Sequence, residues 1–309
     1  MKTIFFGTSD FATPVLEALI QADYTVVAVV TAPDSQTATP AEQLALSHNI
    51  EVLQPENFKK DDPSLARIEE IAKQSTVGIV VDYGKIIPER FLHLPKHGLL
   101  NIHGSLLPKY RGPSPIQYAL LNGEKETGVT VFVLDEKVDH GPVLGMEQEP
   151  IAPDDKYYDL KMRLVKKGAG LLLKLLPKYL SGKTTPQPQD ESQATFTKII
   201  TKEDGKINWH KTAEEIYNQF RAFHKWPGIW FKWQNKILKI IDCKIHKSHL
   251  EVELLSGELL SGKIYQKNGL LIMPCAKDYL ELLKLQLEGG KVLNTKEFIN
   301  GYGRLLEKV

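Results

Sequence analysis

Asn101 and His103 stand two apart in the short run Leu99-Leu100-Asn101-Ile102-His103, and two acids, Asp135 and Asp139, follow downstream. An extended chain alternates its side chains between faces, so the amide and the imidazole share one face and Ile102 takes the other. Protonated imidazole offers two N–H donors and the amide an NH2 group, so neither needs a metal to meet negative charge. Polar groups near the end of a strand are where an open α/β sheet keeps its ligands. The same spacing suits a core histidine satisfied by a neighbouring asparagine, and spacing alone does not separate the two readings.

Such a pair needs a sheet to hold it. Thr3–Phe6, Tyr24–Thr31, Glu51–Leu53 and Val77–Val81 read as strands, with helical spacing at Phe11–Gln21, Pro40–His48 and Pro63–Lys73 between them. This alternation predicts an α/β fold with a doubly wound, mostly parallel, Rossmann-like sheet. Only Gly7 stands where a dinucleotide fingerprint needs three glycines, which argues against a nicotinamide cofactor. After His103 the chain reads as a short helix at Pro115–Asn122, strands at Gly128–Val133 and Pro142–Ile151, and a long amphipathic helix over Asp155–Tyr179.

From Ser181 to Gln193 apolar residues are few and prolines stand at 186 and 188, which is linker composition. The expected division is therefore a first domain over 1–180, a linker over 181–203 and a second domain over 204–309. In the second, a helix is expected over Ala213–Phe223. Short strands are expected at Ile229–Trp233, Lys236–Ile241, Glu251–Leu254, Gly262–Gln266 and Leu270–Met273. Together they predict a small β-barrel of the oligonucleotide-binding (OB) type. Trp209 and Trp226 read as core aromatics.

The chain has 309 residues, 42% apolar and 25% charged, an ordinary composition for a folded protein of two domains. Two cysteines without a Cys-x-x-Cys or a histidine pair give neither a zinc signature nor a disulfide framework and suit a reducing compartment. No run of roughly 20 apolar residues suggests a membrane span. The net charge of +1 hides an asymmetry: residues 196–309 carry 19 basic against 13 acidic side chains, and 11 of those basic residues fall within 196–247. A basic second domain suggests a polyanionic partner, although lysine-rich surfaces are also common.

Order says more than spacing. Asn101-Ile102-His103-Gly104-Ser105-Leu106-Leu107-Pro108, then Arg111-Gly112-Pro113-Ser114-Pro115-Ile116-Gln117, Glu126-Thr127-Gly128-Val129-Thr130 and Val138-Asp139-His140-Gly141 resemble the active-site signature of the 10-formyltetrahydrofolate-dependent formyltransferases. Within that family the chain is most similar to members acting on initiator methionyl-tRNA. Arg221-Ala222-Phe223, Trp226-Pro227-Gly228 and the ending from Leu285 to Gly301 carry that part of the likeness.

The resemblance implies a cytoplasmic monomer that takes 10-formyltetrahydrofolate as co-substrate, uses no metal and formylates the free amine of methionyl-tRNA. It implies that Asn101 and His103 meet the oxyanion of the tetrahedral intermediate while Asp139 supplies charge and carries a proton. Asp135 is a rival acid, but Asp139 matches the family position. Tyr83, Gly84 and Ile86, within Asp82–Pro88, and Ser105, Leu106, Leu107 and Pro108 would line the folate. Arg111, Lys202, Lys206, Arg221 and Lys225 would meet tRNA, with the folate tail or solvent also open to Arg111.

The chain departs from the family pattern after Pro33-Asp34. There the tRNA enzymes carry a longer basic loop, and Ser35 to Pro40 is short and uncharged, which should weaken or alter tRNA engagement. That departure keeps open an amino-sugar nucleotide as acceptor, and beyond it a folate- or RNA-binding relative that has lost catalysis.

Overall fold

The computed structural model describes residues 1–33, 37–58, 62–246 and 263–308. Contacts divide the chain into two units. The first comprises Met1–Ile116, Lys125–Ala152 and Asp159–Lys198, and the second Gln117–Glu124, Pro153–Tyr158 and Ile199–Val309.

The apolar run at the start of the chain becomes β1 (Lys2–Gly7), buried after its first residue. There follow α1 (Thr13–Gln21), β2 (Thr25–Val30), α2 (Pro40–Ser47), β3 (Glu51–Leu53), α3 (Ser64–Gln74), β4 (Val77–Val81), α4 (Glu89–Leu92) and β5 (Leu99–His103). Next come α5 (Pro115–Leu121), β6 (Glu126–Val133), β7 (Val143–Pro150) and α6 (Tyr157–Leu180). The seven strands lie in the order β3-β2-β1-β4-β5-β6-β7. The first five are parallel, and β6 and β7 join antiparallel. The α/β, mostly parallel Rossmann-like sheet expected from the sequence is thus present.

From β1 the chain steps outward to β2 and β3, then returns to place β4 on the other side of β1. That reversal opens a crevice at the strands' carboxyl ends. The two turns beside it are tied together. Thr8 Oγ1 donates to the Tyr83 carbonyl at 3.0 Å, Thr8 N donates to the Asp82 carbonyl at 3.3 Å, and the Ser9 hydroxyl donates to the Asp82 carboxylate.

Beneath the crevice Ile4, Phe6, Val30, Ile68, Phe91 and Leu99 share one apolar cluster. Each large side chain removed from water contributes about 1.5–3 kcal/mol. On β5, Ile102 faces away from its polar neighbours and packs on α6. A β-carbon at Gly168 would lie 2.7 Å from Ile102 Cγ2, so the small residue lets helix and strand close. The residue between Asn101 and His103 is therefore the one that fastens their strand.

The second unit holds α7 (Ala213–Ala222), β8 (Ile229–Trp233), β9 (Lys236–His246), β10 (Tyr265–Lys267), β11 (Leu270–Pro274), β12 (Tyr279–Leu287), β13 (Val292–Asn294), α8 (Thr295–Tyr302) and β14 (Glu307–Lys308). Its sheet runs β14-β10-β11-β12-β9-β8 with β13 on β12, largely antiparallel, which is consistent with an OB-like domain.

Sequence reading falls short here in three places. β9 continues five residues past the expected end at Ile241. The central strand β12 was not expected: its sequence, YLELLKLQL, has no β-branched residue, but its pairing with β9 from Tyr279↔His246 to Leu287↔Leu238 overrides that preference. Trp226 is 59% exposed rather than core, whereas Trp209 stands edge-on to Phe231 at 5.1 Å. The expected strand Glu251–Leu254, together with Gly262, lies outside the described residues. Cys243 is buried and Cys275 half-buried, and burial pushes both thiols up, Cys275 to about 12.

Gly128 marks where β6 passes closest to its neighbours. A β-carbon there would meet the Glu147 carbonyl oxygen and Leu106 Cδ2, each at 2.4 Å. Gly128→Ala should therefore cost about 1–3 kcal/mol of stability through overpacking. This will be read as a lower urea midpoint, and an unchanged midpoint would show that the sheet has more room than the structure gives it.

Candidate active site

His103 closes β5 and is 7% exposed. Its Nε2 lies 2.9 Å from the Tyr110 carbonyl oxygen. A carbonyl only accepts, so Nε2 carries a proton and Nδ1 is the atom that gains the second one. Asp139 Oδ2 faces that Nδ1 at 3.6 Å, too long for a good hydrogen bond but close enough to act by charge. Asn101 is half-buried on the same face of the strand, in register with Val80 of β4 and Phe132 of β6. Asn101, His103 and Asp139 are thus brought to one end of the sheet. Asp135 is not part of this group: its Oδ2 pairs with His140 Nδ1 at 2.5 Å.

Asp139 arrives on the turn between β6 and β7. Its backbone is left-handed, with φ of 49°, a conformation aspartate adopts more readily than most residues. The turn closes over Gly141, where a β-carbon would come 1.8 Å from the Val133 carbonyl oxygen. The carboxylate is held from the other side by the Gly112 amide, which donates to Oδ2 at 2.6 Å.

The residues expected to line the folate divide by burial. Thr130 of β6 fixes the loop after β5, its hydroxyl donating to the Ser105 carbonyl at 2.7 Å and accepting from Leu107 N at 3.1 Å. Ser105 is fully buried and its hydroxyl donates to the Lys109 carbonyl at 2.6 Å, so that group serves the loop. Leu107 is buried, and Leu106 and Pro108 are half-buried. Tyr83 points its ring into the core, edge-on to Phe6 at 5.6 Å, and burial pushes its phenol up. Only its main chain faces the crevice turn. Gly84, with φ of 78°, has open space where a side chain would stand, and Ile86 is 85% exposed.

Of the five residues expected to meet tRNA, two are buried. Arg111 is 2% exposed and its guanidinium binds Gln189 and Glu191. Arg221 is 5% exposed, with Nη1 on the Asp155 carbonyl at 3.2 Å and Nη2 on Asn218 Oδ1 at 2.5 Å. A buried and occupied guanidinium does not reach a phosphate. Lys202, Lys206 and Lys225 are exposed.

The segment read as a linker is, in its first part, a strap across this site. Gln187 and Val143 exchange main-chain hydrogen bonds at 2.7 and 2.8 Å. Arg111 N donates to the Thr195 carbonyl at 2.8 Å, and Thr197 N donates to the Arg111 carbonyl at 2.7 Å. The Thr197 hydroxyl is buried, accepting from Ser114 N and donating to the Arg111 carbonyl, each at 3.1 Å. Sequence reasoning missed Gln189, Glu191, Thr195 and Thr197 because bonds between side chain and main chain leave no periodic apolar signal. Thr197→Val should strand the Ser114 amide and lower stability by about 1–3 kcal/mol. A chemical denaturation curve identical to the parent's would show that this hydroxyl holds nothing.

Among the described residues no group of three His, Cys, Asp or Glu side chains is placed to hold a metal ion, and no helix is long and apolar enough to cross a membrane. Comparison with known proteins places both units. Residues 1–176 match the family model described as formyl transferase, and residues 199–303 the one described as formyl transferase, C-terminal domain. The methionyl-tRNA formyltransferase of Sulfurihydrogenibium sp. is 38% identical over 98% of this chain and 97% of its own. That of Acidobacterium capsulatum is 40% identical over 97% and 96%. Among solved structures, an N-formyltransferase from Helicobacter canadensis in complex with folinic acid and dTDP-3-aminofucose has a TM-score of 0.68. It is 22% identical, covering 91% of this chain and 98% of that one. HypX from Aquifex aeolicus in complex with tetrahydrofolic acid has a TM-score of 0.63 at 15% identity, covering 100% of this chain and 48% of that one. At these identities the structural likeness concerns the fold.

Proposed function

This chain belongs to the formyl transferase family, and on that premise we propose that it moves the formyl group of 10-formyltetrahydrofolate to the free amine of initiator methionyl-tRNA. The observation that carries this reading is the opposition of Asp139 to the free ring nitrogen of His103 at the end of β5. The naming of relatives alike over nearly the whole chain supports the acceptor.

In the reaction, the amine nitrogen attacks the formyl carbon, the carbonyl electron pair moves onto oxygen, and a tetrahedral carbon bearing an oxyanion forms. Asn101 donates its amide hydrogens to that oxygen. Protonated His103 presents Nδ1–H, since Nε2 is occupied by Tyr110. A pre-aimed donor of this kind is worth about 2.7–4 kcal/mol of barrier. Asp139, beside Nδ1 but not closely bonded to it, stabilises the imidazolium and takes the proton the amine releases. The carbon–nitrogen bond to the folate then breaks as Asp139 passes that proton to the departing nitrogen. Folate lies along the Gly84–Ile86 main chain and against Leu106 and Pro108.

The catalytic domain extends beyond residue 180 to take in the strap to Lys198. Residues 204–309 form the tRNA-binding domain, with Lys202, Lys206 and Lys225 facing phosphate. We place the protein in the cytoplasm as a monomer. Residues 35 and 36, the first two of the short segment that stands where the family's basic loop is expected, lie outside the described residues.

Asp139→Asn and His103→Ala should each lower kcat by about 10²–10⁴-fold while the melting temperature stays near the parent's. Near-normal turnover in both would remove the assignment. Incubated with 10-formyltetrahydrofolate and either methionyl-tRNA or an amino-sugar nucleotide, the protein should formylate the tRNA, with affinity falling steeply as salt rises. Transfer to the sugar alone would reassign the acceptor and leave the chemistry standing.

A further inference from the structure

Arg111 reaches Asp139 by two routes. Through the main chain, its neighbour Gly112 donates to the Asp139 carboxylate. Through its side chain, Nε and Nη2 donate to Gln189 Oε1 at 3.1 and 2.8 Å, and Gln189 Nε2 then donates to the Asp139 carbonyl at 2.9 Å and the Gly141 carbonyl at 2.8 Å. Glu191 holds the rest of the guanidinium, with Oε2 on Nη1 at 3.0 Å and Oε1 on Nη2 at 2.6 Å. That bidentate pairing keeps the Glu191 carboxyl below the usual range. His140 Nε2 stands 3.4 Å from Glu191 Oε1, so the residue after Asp139 leans on the same anion.

We infer that Gln189 is a positioning residue for the transfer reaction, fixing the turn that presents Asp139 to His103. The inference rests on the role given to Asp139 above. A guanidinium only donates, so the amide of Gln189 has one orientation, oxygen toward Arg111 and both N–H groups toward the turn. Those two donors engage the carbonyls on either side of His140 in a turn whose first residue is left-handed. A backbone in that region costs about 1–3 kcal/mol and persists only where its surroundings hold it. The carboxylate must also stay aligned with one ring nitrogen, and a displacement of about 1 Å in such a constellation costs about 10²-fold in rate. Gln189 and Arg111 act through Asp139.

The test is Gln189→Glu in the full chain, with Gln187→Ala as comparison. Glutamate keeps the shape and an acceptor for Arg111 but loses both donors to the turn. Q189E should lower kcat for formyl transfer at least tenfold, with KM for folate and for tRNA within twofold of the parent. Q187A, whose side chain lies on the same strap and donates to the Thr185 carbonyl at 3.1 Å, should leave kcat unchanged. If Q189E does not fold, Gln189→Ala removes the same bonds without burying a charge and takes its place.

A crystal structure of the folded variant supplies a second readout. The Gly112 N–Asp139 Oδ2 distance should open past about 3.5 Å, beyond hydrogen-bond range. An unchanged kcat, a loss confined to KM, or a loss of kcat with that contact intact would each overturn the inference. If the parent transfers formyl to no tRNA, the proposed acceptor fails, and the distance alone still decides the role of Gln189.

Discussion

An imidazole whose Nε2 is spent on a main-chain carbonyl can meet an anion only through Nδ1, and the first unit is arranged around keeping Asp139 opposite that atom. The arrangement needs three connections to agree. β5 must end at His103 with its polar face free, which the packing of Ile102 against Gly168 of α6 secures. The loop after β5 must return the Tyr110 carbonyl to Nε2, which the Thr130 hydroxyl and the strap from Gln187 to Thr197 secure. The turn between β6 and β7 must carry Asp139 back over the sheet, and that needs the left-handed backbone at 139 and a glycine at 141.

The antiparallel end of the sheet decides how far that turn has to reach. β6, entering antiparallel, pairs Thr130 with His103 and Val133 with Leu100, so its exit turn lies beyond the far end of β5. β7 then returns alongside β6 with Gly128 opposite Gln148 and close against Leu106. One strand thus holds both the loop expected to face the folate and the segment that leads to Asp139.

Much of this was legible in the sequence, for reasons that also mark where legibility stopped. Valine- and isoleucine-rich runs such as Val26–Val30 and Val77–Val81, bounded by turn residues, read as buried strands, and the period of two put Asn101 and His103 together. Motif order placed Asp139 with them. What motif order does not carry is direction: Arg111 and Arg221 stand where the resemblance puts them, but both turn inward onto acceptors. Their charge was read as surface charge because burial of an arginine depends on partners far away in the chain, Gln189 and Glu191 in one case and Asp155 in the other. The strap went unread for a related reason. Its composition says loop, and its hold on the unit comes from main-chain bonds and one buried threonine. β12 was missed because leucine, glutamate and lysine favour helix until a strand such as β9 is present to pair with.

In the function proposed above, the second unit meets the acceptor and the first carries the chemistry. The exposed lysines at 202, 206 and 225 and the excess of basic residues across 196–247 suit a phosphate backbone. The whole arrangement turns on the protonation geometry of one ring. Nitrogen-15 spectra of His103 test it directly. The neutral ring should carry its proton on Nε2, leaving Nδ1 as the atom that faces Asp139. A neutral ring protonated at Nδ1 would contradict it, because Asp139 would then face an atom that is already filled.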